Sequence, residues 1–264
     1  MNLAEPAVTL RNVRAGYGSH EVLGGITAEL PAARSTAVVG ANGAGKSTLL
    51  NVIAGIQPIS AGTLHRTSRF RAAYATQYSE ASGELPITVR ATVTMARWAH
   101  RGPWRRLTPR DRTVVEDCLE QLDIASIADQ SLGTLSGGQR QRTLVAQALA
   151  QQSDLLLLDE PAAGLDLHAQ TLIDEALDAT VRGGTTVVRI THDLAVARRT
   201  AHCLLLRDGR LLAEGLPSAV LTRDRVAAGW GLPDFSDTAG QAGNIGGGAV
   251  PPRHRIPDAG NGME

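Results

Sequence analysis

Residues Gly40-Ala41-Asn42-Gly43-Ala44-Gly45-Lys46-Ser47-Thr48 fit the spacing G-x-x-x-x-G-K-[ST]. Glycines in such a run let backbone N–H groups converge on phosphate oxygens, and a helix starting there adds the positive end of its dipole. Lys46 can bridge the outer phosphates of a nucleotide, and the Ser47 hydroxyl can ligate Mg²⁺. Lys46 is the only lysine in the chain; every other Lys/Arg-type cation is Arg. A compact ammonium kept in an Arg-rich background fits a position where a planar guanidinium is too broad.

A second chemical cluster is Leu155-Leu156-Leu157-Leu158-Asp159-Glu160. It ends an apolar run in two carboxylates. Asp159 can hold a Mg²⁺ shell, and Glu160, pointing elsewhere, can polarise an attacking water as general base. Leu135-Ser136-Gly137-Gly138-Gln139 precedes a helical pattern over Arg140 to Ala150. Ser136 is a good N-cap, and the glycines expose N–H groups, which makes a second anion-binding turn. Thr191-His192-Asp193 closes another apolar run, Thr186 to Ile190.

These residues need elements to hold them. Val8–Val13 and Val22–Leu30 alternate and carry β-branched residues, so two short antiparallel strands are expected. Ser35–Val39 is a short strand feeding the glycine loop and a helix through Ala54. Ser47–Leu64 is an uncharged stretch, but Asn51, Gly55, Gln57, Pro58 and Ser60 make it a helix followed by a turn rather than a membrane span. Strands at Leu155–Leu158 and Thr186–Ile190, separated by helical stretches, indicate a parallel α/β sheet with polar residues at its C-terminal edge. Leu204–Leu206 and Leu211–Ala213 flank Asp208-Gly209, a hairpin turn. Thr88–Gln152 is mostly helical in pattern. From Pro233 onward Gly and Pro dominate, and a disordered tail is expected over 233–264.

Composition narrows the function. The 264 residues contain 26 basic and 26 acidic side chains, giving a net charge of zero, and 3% aromatics. A sequence-indifferent nucleic-acid binder needs a basic surplus, and a base-stacking platform needs aromatics. Cys118 and Cys203 have no metal-ligand spacing and do not indicate a disulfide scaffold, so a reducing compartment fits. His20, His65, His100, His168, His202 and His254 are scattered and point to no metal site. Met1–Leu10 does not read as a signal peptide.

The phosphate loop, LSGGQ, Asp159-Glu160 and the Thr191-His192-Asp193 strand end occur in one order. In this the chain resembles the ATP-binding subunits of ABC transporters over about residues 8–225. The resemblance implies an α/β fold of the P-loop NTPase class and ABC type. A mostly parallel core would carry an N-terminal antiparallel β subdomain and an inserted helical subdomain at about 78–152, in a nucleotide-binding domain spanning 1–232. It implies ATP and Mg²⁺ as ligands. It also implies a head-to-tail homodimer, in which Ser136, Gly137, Gly138 and Gln139 of one copy reach the γ-phosphate held by Gly40–Thr48 of the other. By the same resemblance Gln77 contacts Mg²⁺ and links to the membrane partner, and Tyr17 stacks on adenine. Asp166, in Gly164-Leu165-Asp166, lies across the dimer, and His192 contacts the γ-phosphate.

Two elements, Pro86-Ile87-Thr88-Val89 and Gly102-Pro103-Trp104, resemble the zinc and manganese importers within that family. They lie among Arg97, Arg101, Arg105, Arg106, Arg110 and Arg112, which read either as a solvated basic face or as a surface near anionic lipid or permease helices. The subfamily likeness implies a permease partner, an indirect extracytoplasmic metal-binding protein, no nucleic acid, and a place on the cytoplasmic face of the membrane. Manganese and iron chelates stand as alternative cargoes. A switch GTPase would need a guanine-reading N-K-x-D, which a chain with its one lysine in the phosphate loop cannot supply.

Overall fold

A computed structural model describes residues 5–67, 72–75, 87–101 and 106–232. The strands are β1 (Pro6–Tyr17), β2 (His20–Pro31), β3 (Ser35–Val39), β4 (Ala61–Arg66), β5 (Ala72–Ala75), β6 (Leu155–Asp159), β7 (Thr186–Ile190), β8 (His202–Arg207) and β9 (Arg210–Gly215). The helices are α1 (Lys46–Ala54), α2 (Val89–Arg101), α3 (Pro109–Gln121), α4 (Gly137–Ala150), α5 (Leu167–Arg182), α6 (Leu194–Arg198), α7 (Pro217–Val220) and α8 (Arg223–Trp230). The strands form two sheets, a three-stranded one in the order β2-β1-β4 and a six-stranded one in the order β5-β6-β7-β3-β8-β9. The larger is parallel except for β9, which pairs antiparallel to β8 across Asp208-Gly209.

The run Leu155–Leu158 is apolar without alternation because β6 is covered on both faces. Leu155 and Leu157 pack with β1, β2 and α1, whereas Leu156 and Leu158 pack against the helices α2 to α5. All four are fully or almost fully buried. Truncating one to Ala typically costs ~2–5 kcal/mol. Asp159 and Glu160 therefore sit at the end of a strand packed on both faces.

Three expectations are corrected here. The antiparallel strands run further than Val8–Val13 and Val22–Leu30. Register shifts, with Asn12 at φ 50°, let β1 and β2 bend and continue to a tight connection at Tyr17–His20. The segment after α1 is not only a turn, since Ala61–Arg66 pairs with β1 as β4, with His65 opposite Thr9. It is an edge strand with mostly exposed side chains, so no alternation marks it. The helix after LSGGQ starts at Gly137 rather than Arg140, because Ser136 and Gln139 form a capping box around its first turn.

The basic run divides too. Arg106, Arg110 and Arg112 are exposed, but Arg97 is buried. Its Nε donates to Asp111 Oδ1 at 3.0 Å and its Nη1 to the Ala150 carbonyl at 2.7 Å, so it ties α2 to α3 and α4. Arg101, Arg105, Gly102-Pro103-Trp104, Pro86, Gln77 and the tail 233–264 have side chains or whole residues outside the described set.

Candidate active site

The loop after β3 is shaped by backbone that only glycine tolerates. Gly40 has φ 149°, and a Cβ there would lie 2.2 Å from the Leu206 carbonyl oxygen. Gly45, at φ 93°, caps α1 with its helix already under way at Lys46. A cleft of about 430 Å³ opens above this turn, lined by Val22, Asn42, Gly43, Gly45, Lys46, Ser47, Thr48, Asp159 and Glu160. The loop and the acidic strand end, 111 residues apart between Thr48 and Asp159 in sequence, thus face each other across one concavity.

Lys46 is only 7% exposed. Its ammonium donates to the carbonyls of Gly40 at 2.9 Å and Ala41 at 2.8 Å, which aims it along the loop and leaves its remaining donor capacity for a phosphate oxygen. Burial lowers its pKa, and the carboxylates of Glu160 and Asp159 oppose that shift. Burial raises the pKa of Asp159; the hydrogen bond donated by Ser47 lowers it, Glu160 raises it and Lys46 lowers it. The Ser47 hydroxyl and the Asp159 carboxylate thus line one cleft as a pair of hard oxygens. That donor set fits Mg²⁺.

Glu160 departs from ordinary backbone. Its φ is 48°, in the left-handed region that costs a non-glycine residue about 1–2 kcal/mol. The turn Glu160–Ala163 closes through a bond from the Ala163 N–H to the Glu160 carbonyl at 3.2 Å. The strain swings the side chain out of line with Asp159 and towards His192, whose Nδ1 lies 3.5 Å from Glu160 Oε2. The two residues come from β6 and from the end of β7, which are adjacent parallel strands with Asp159 opposite Ile190.

The second glycine turn is built differently. Ser136 Oγ accepts from the Gln139 N–H at 3.2 Å, and Gln139 Oε1 accepts from the Ser136 N–H at 3.0 Å. Both side chains are thereby spent on their own helix end, while Ser136 and Gly137 are exposed. None of Ser136, Gly137, Gly138 or Gln139 lines the phosphate cleft of the same chain. Asp166 is likewise engaged, as the N-cap of α5, accepting from the Ala169 N–H at 2.8 Å. Leu165 lies beside Gly138, so the two turns sit next to each other.

Tyr17 is 51% exposed and its hydroxyl accepts from Asn51 on α1 at 3.4 Å. It stands beside the phosphate-loop helix rather than in the cleft wall. Val22 and Asn51 carry no signal in the sequence, because an apolar strand residue and a polar helix residue are common everywhere. Burial lifts the thiols of Cys118 and Cys203 to about 12, and burial with nearby Asp159 and Tyr17 lifts Tyr74 to about 12. Among the described residues no group of three or more His, Cys, Asp or Glu side chains could hold a metal.

Residues 23–163 match the ABC transporter family. The chain belongs to that family. It is the ATP-hydrolysing subunit of an ABC transporter. It is 34% identical over 228 residues to the ferric enterobactin transport ATP-binding protein FepC of Escherichia coli, covering 82% of this chain and 84% of that one. It is 35% identical over 219 residues to the zinc import ATP-binding protein ZnuC of Halorhodospira halophila, covering 82% and 80%. Among solved structures, a metal-chelate type ABC transporter in an inward-facing conformation superposes with a TM-score of 0.76 at 28% identity, covering 87% and 90% of the two chains. The dimeric structure of MJ0796, a bacterial ABC transporter cassette, gives 0.69 at 25% identity, covering 80% and 98%. The ABC ATPase fold expected from the motifs is the fold observed. No described helix of this ABC ATPase is long and apolar enough to cross a membrane.

Proposed function

We propose that this ABC ATPase drives import of a metal ion, zinc foremost, as a homodimer bound to a membrane permease at the cytoplasmic face. An extracytoplasmic metal-binding protein would deliver the cargo, and nucleic acid has no part. One observation carries the dimer: the chain has two anion-binding turns, and its own Ser136–Gln139 turn is exposed and absent from its own phosphate cleft. Such a turn becomes useful when it faces the cleft of a second copy. The likeness to a dimeric cassette supports the same reading.

In that arrangement the N–H groups from Asn42 to Thr48 and the Lys46 ammonium grip the triphosphate, and Tyr17 stacks on adenine. Ser47 and Asp159 hold Mg²⁺, joined by Gln77, which lies outside the described residues. Mg²⁺ held by these residues would supply neutralisation of phosphate charge. Gly137 and Gly138 of the opposite copy offer N–H groups to the γ-phosphate, with Ser136 and Gln139 fixing the turn. Glu160 accepts a proton from the attacking water, and His192 holds the γ-phosphate while ordering Glu160. Asp166 sits at the same junction. Loss of the γ-phosphate removes the contacts shared by the two copies, and the dimer reopens.

With Asn42→Cys and Ser136→Cys in the full chain, a flexible bismaleimide should join two copies in the presence of ATP and few without it. Absence of that cross-link under ATP rejects the sandwich. Zinc rests on the ZnuC relative and on the Pro86–Val89 and Gly102–Trp104 elements. The ferric enterobactin relative, at similar identity, favours an iron chelate as the second reading. Uptake of labelled zinc, manganese and ferric chelate by a strain lacking this chain decides the cargo. Zinc uptake should fall and return with the parent gene; a loss confined to the ferric chelate rejects zinc.

A further inference from the structure

Strand β7 is buried along its whole length, yet its fourth residue is Arg189. Val188 and Ile190 pack with α1 and the antiparallel sheet, while Val187 packs with Ile173, Ala176 and Leu177 on α5. By strand alternation Arg189 shares the Val187 face, towards α5. An arginine there is costly unless a carboxylate meets it. Asp174 on α5 does, with Arg189 Nη1 donating to Oδ1 at 2.6 Å; the two side chains are 8% and 12% exposed. The other oxygen, Asp174 Oδ2, takes Arg199 Nη1 at 3.5 Å.

The placement of the three residues is specific. Arg189 and Arg199 flank the segment Thr191–Asp193, which carries His192, and both reach the same carboxylate. Asp174 lies two turns along the helix that Asp166 caps. Glu160, Gly164, Asp174, Arg189 and His192 line one common cavity, which shares Glu160 with the phosphate cleft. We infer that Asp174, with Arg189 and Arg199, is a positioning clamp that locks the His192 segment to the helix headed by Gly164-Leu165-Asp166. Movement of that turn when two copies close then reaches His192 and Glu160 as a rigid displacement. The inference rests on the catalytic reading above, and it makes none of the three a catalytic residue.

The test is steady-state ATP hydrolysis by the full chain, with nucleotide affinity measured separately by a fluorescent ATP analogue. In Arg189→Val/Asp174→Leu the buried pair becomes apolar, a kind of exchange that often preserves folding. Its kcat should fall about tenfold, a common size for lost coupling, with KM and nucleotide affinity within about twofold of the parent. Arg189→Lys, which keeps the cation, should recover most of the loss. A kcat at the parent level in the double variant overturns the clamp, as does an equal loss in Arg189→Lys. If the double variant does not fold, Asp174→Asn carries the test, since it keeps volume and removes charge; a parental kcat there overturns the clamp as well. A parent chain that binds ATP but never hydrolyses it defeats the catalytic reading itself, and the clamp with it, a result separable from a loss confined to the variants.

Discussion

The two glycine turns of this chain both present backbone N–H groups at a helix start but are finished to different degrees. At the phosphate loop, a strand, a helix and a second strand end converge. Lys46 is buried and aimed by two carbonyls, Ser47 shares the cleft wall with Asp159, and Glu160 is held in a strained conformation. At the LSGGQ turn the side chains of Ser136 and Gln139 close on each other, and the surface beyond is open. The first site carries its charges and its cost within one chain. The second offers only backbone donors and a helix end, which suits the proposed meeting with a ligand held by another copy.

That contrast can be broken or sharpened by substitution. The largest effect should come from Glu160→Gln, which keeps shape and removes the base. ATP turnover should fall about 100-fold or more while ATP binding persists and a dimer accumulates in size-exclusion chromatography. Unchanged turnover removes Glu160 as base. Lys46→Ala should weaken ATP binding by about tenfold or more in a titration, the size expected for lost charge-assisted hydrogen bonds. Affinity that stays near the parent value breaks the phosphate-loop assignment. Ser136→Ala deletes a cap and should cost about 1 kcal/mol in denaturant unfolding, leaving ATP binding to the isolated chain intact. A weaker single-chain affinity would erase the distinction between the two turns.

The smallest effect concerns Asp159. Burial raises its folded pKa above the unfolded value, so the folded chain binds that proton more tightly. Stability in the ligand-free chain is therefore greatest below the unfolded pKa, and it declines as pH rises through the raised folded value. Asp159→Asn should then raise the melting temperature of the ligand-free protein in a thermal scan above the raised folded pKa, with the gain vanishing in acid. A lower melting temperature at neutral pH would show that the Ser47 contact outweighs the burial.

What was legible in the sequence was whatever a short apolar run ends in. Ser35–Val39, Leu155–Leu158 and Thr186–Ile190 announced buried strands, and the polar residues after them fell at one edge of the sheet. Resemblance to the family supplied expectations that spacing alone does not, the tasks proposed above for Tyr17, Gln77 and His192. Three features had no local signal. β4 is an edge strand that exists because β1 offers it partners. The left-handed Glu160 is imposed by the turn it closes. Arg189 and Asp174 are 15 residues apart on different elements, and only the packing of α5 against β7 makes them a pair. Arg97 shows the converse, since a basic run in the sequence does not reveal which of its members turns inward to Asp111.

Both native thiols sit under the surface with their acidities pushed to about 12. Almost no thiolate exists there at neutral pH, so thiol-directed reagents find no ready sulfur nucleophile at either cysteine of the folded protein. The chain thus comes with a chemically silent background, and a reporter cysteine placed at any exposed position of either turn would be the group that reacts.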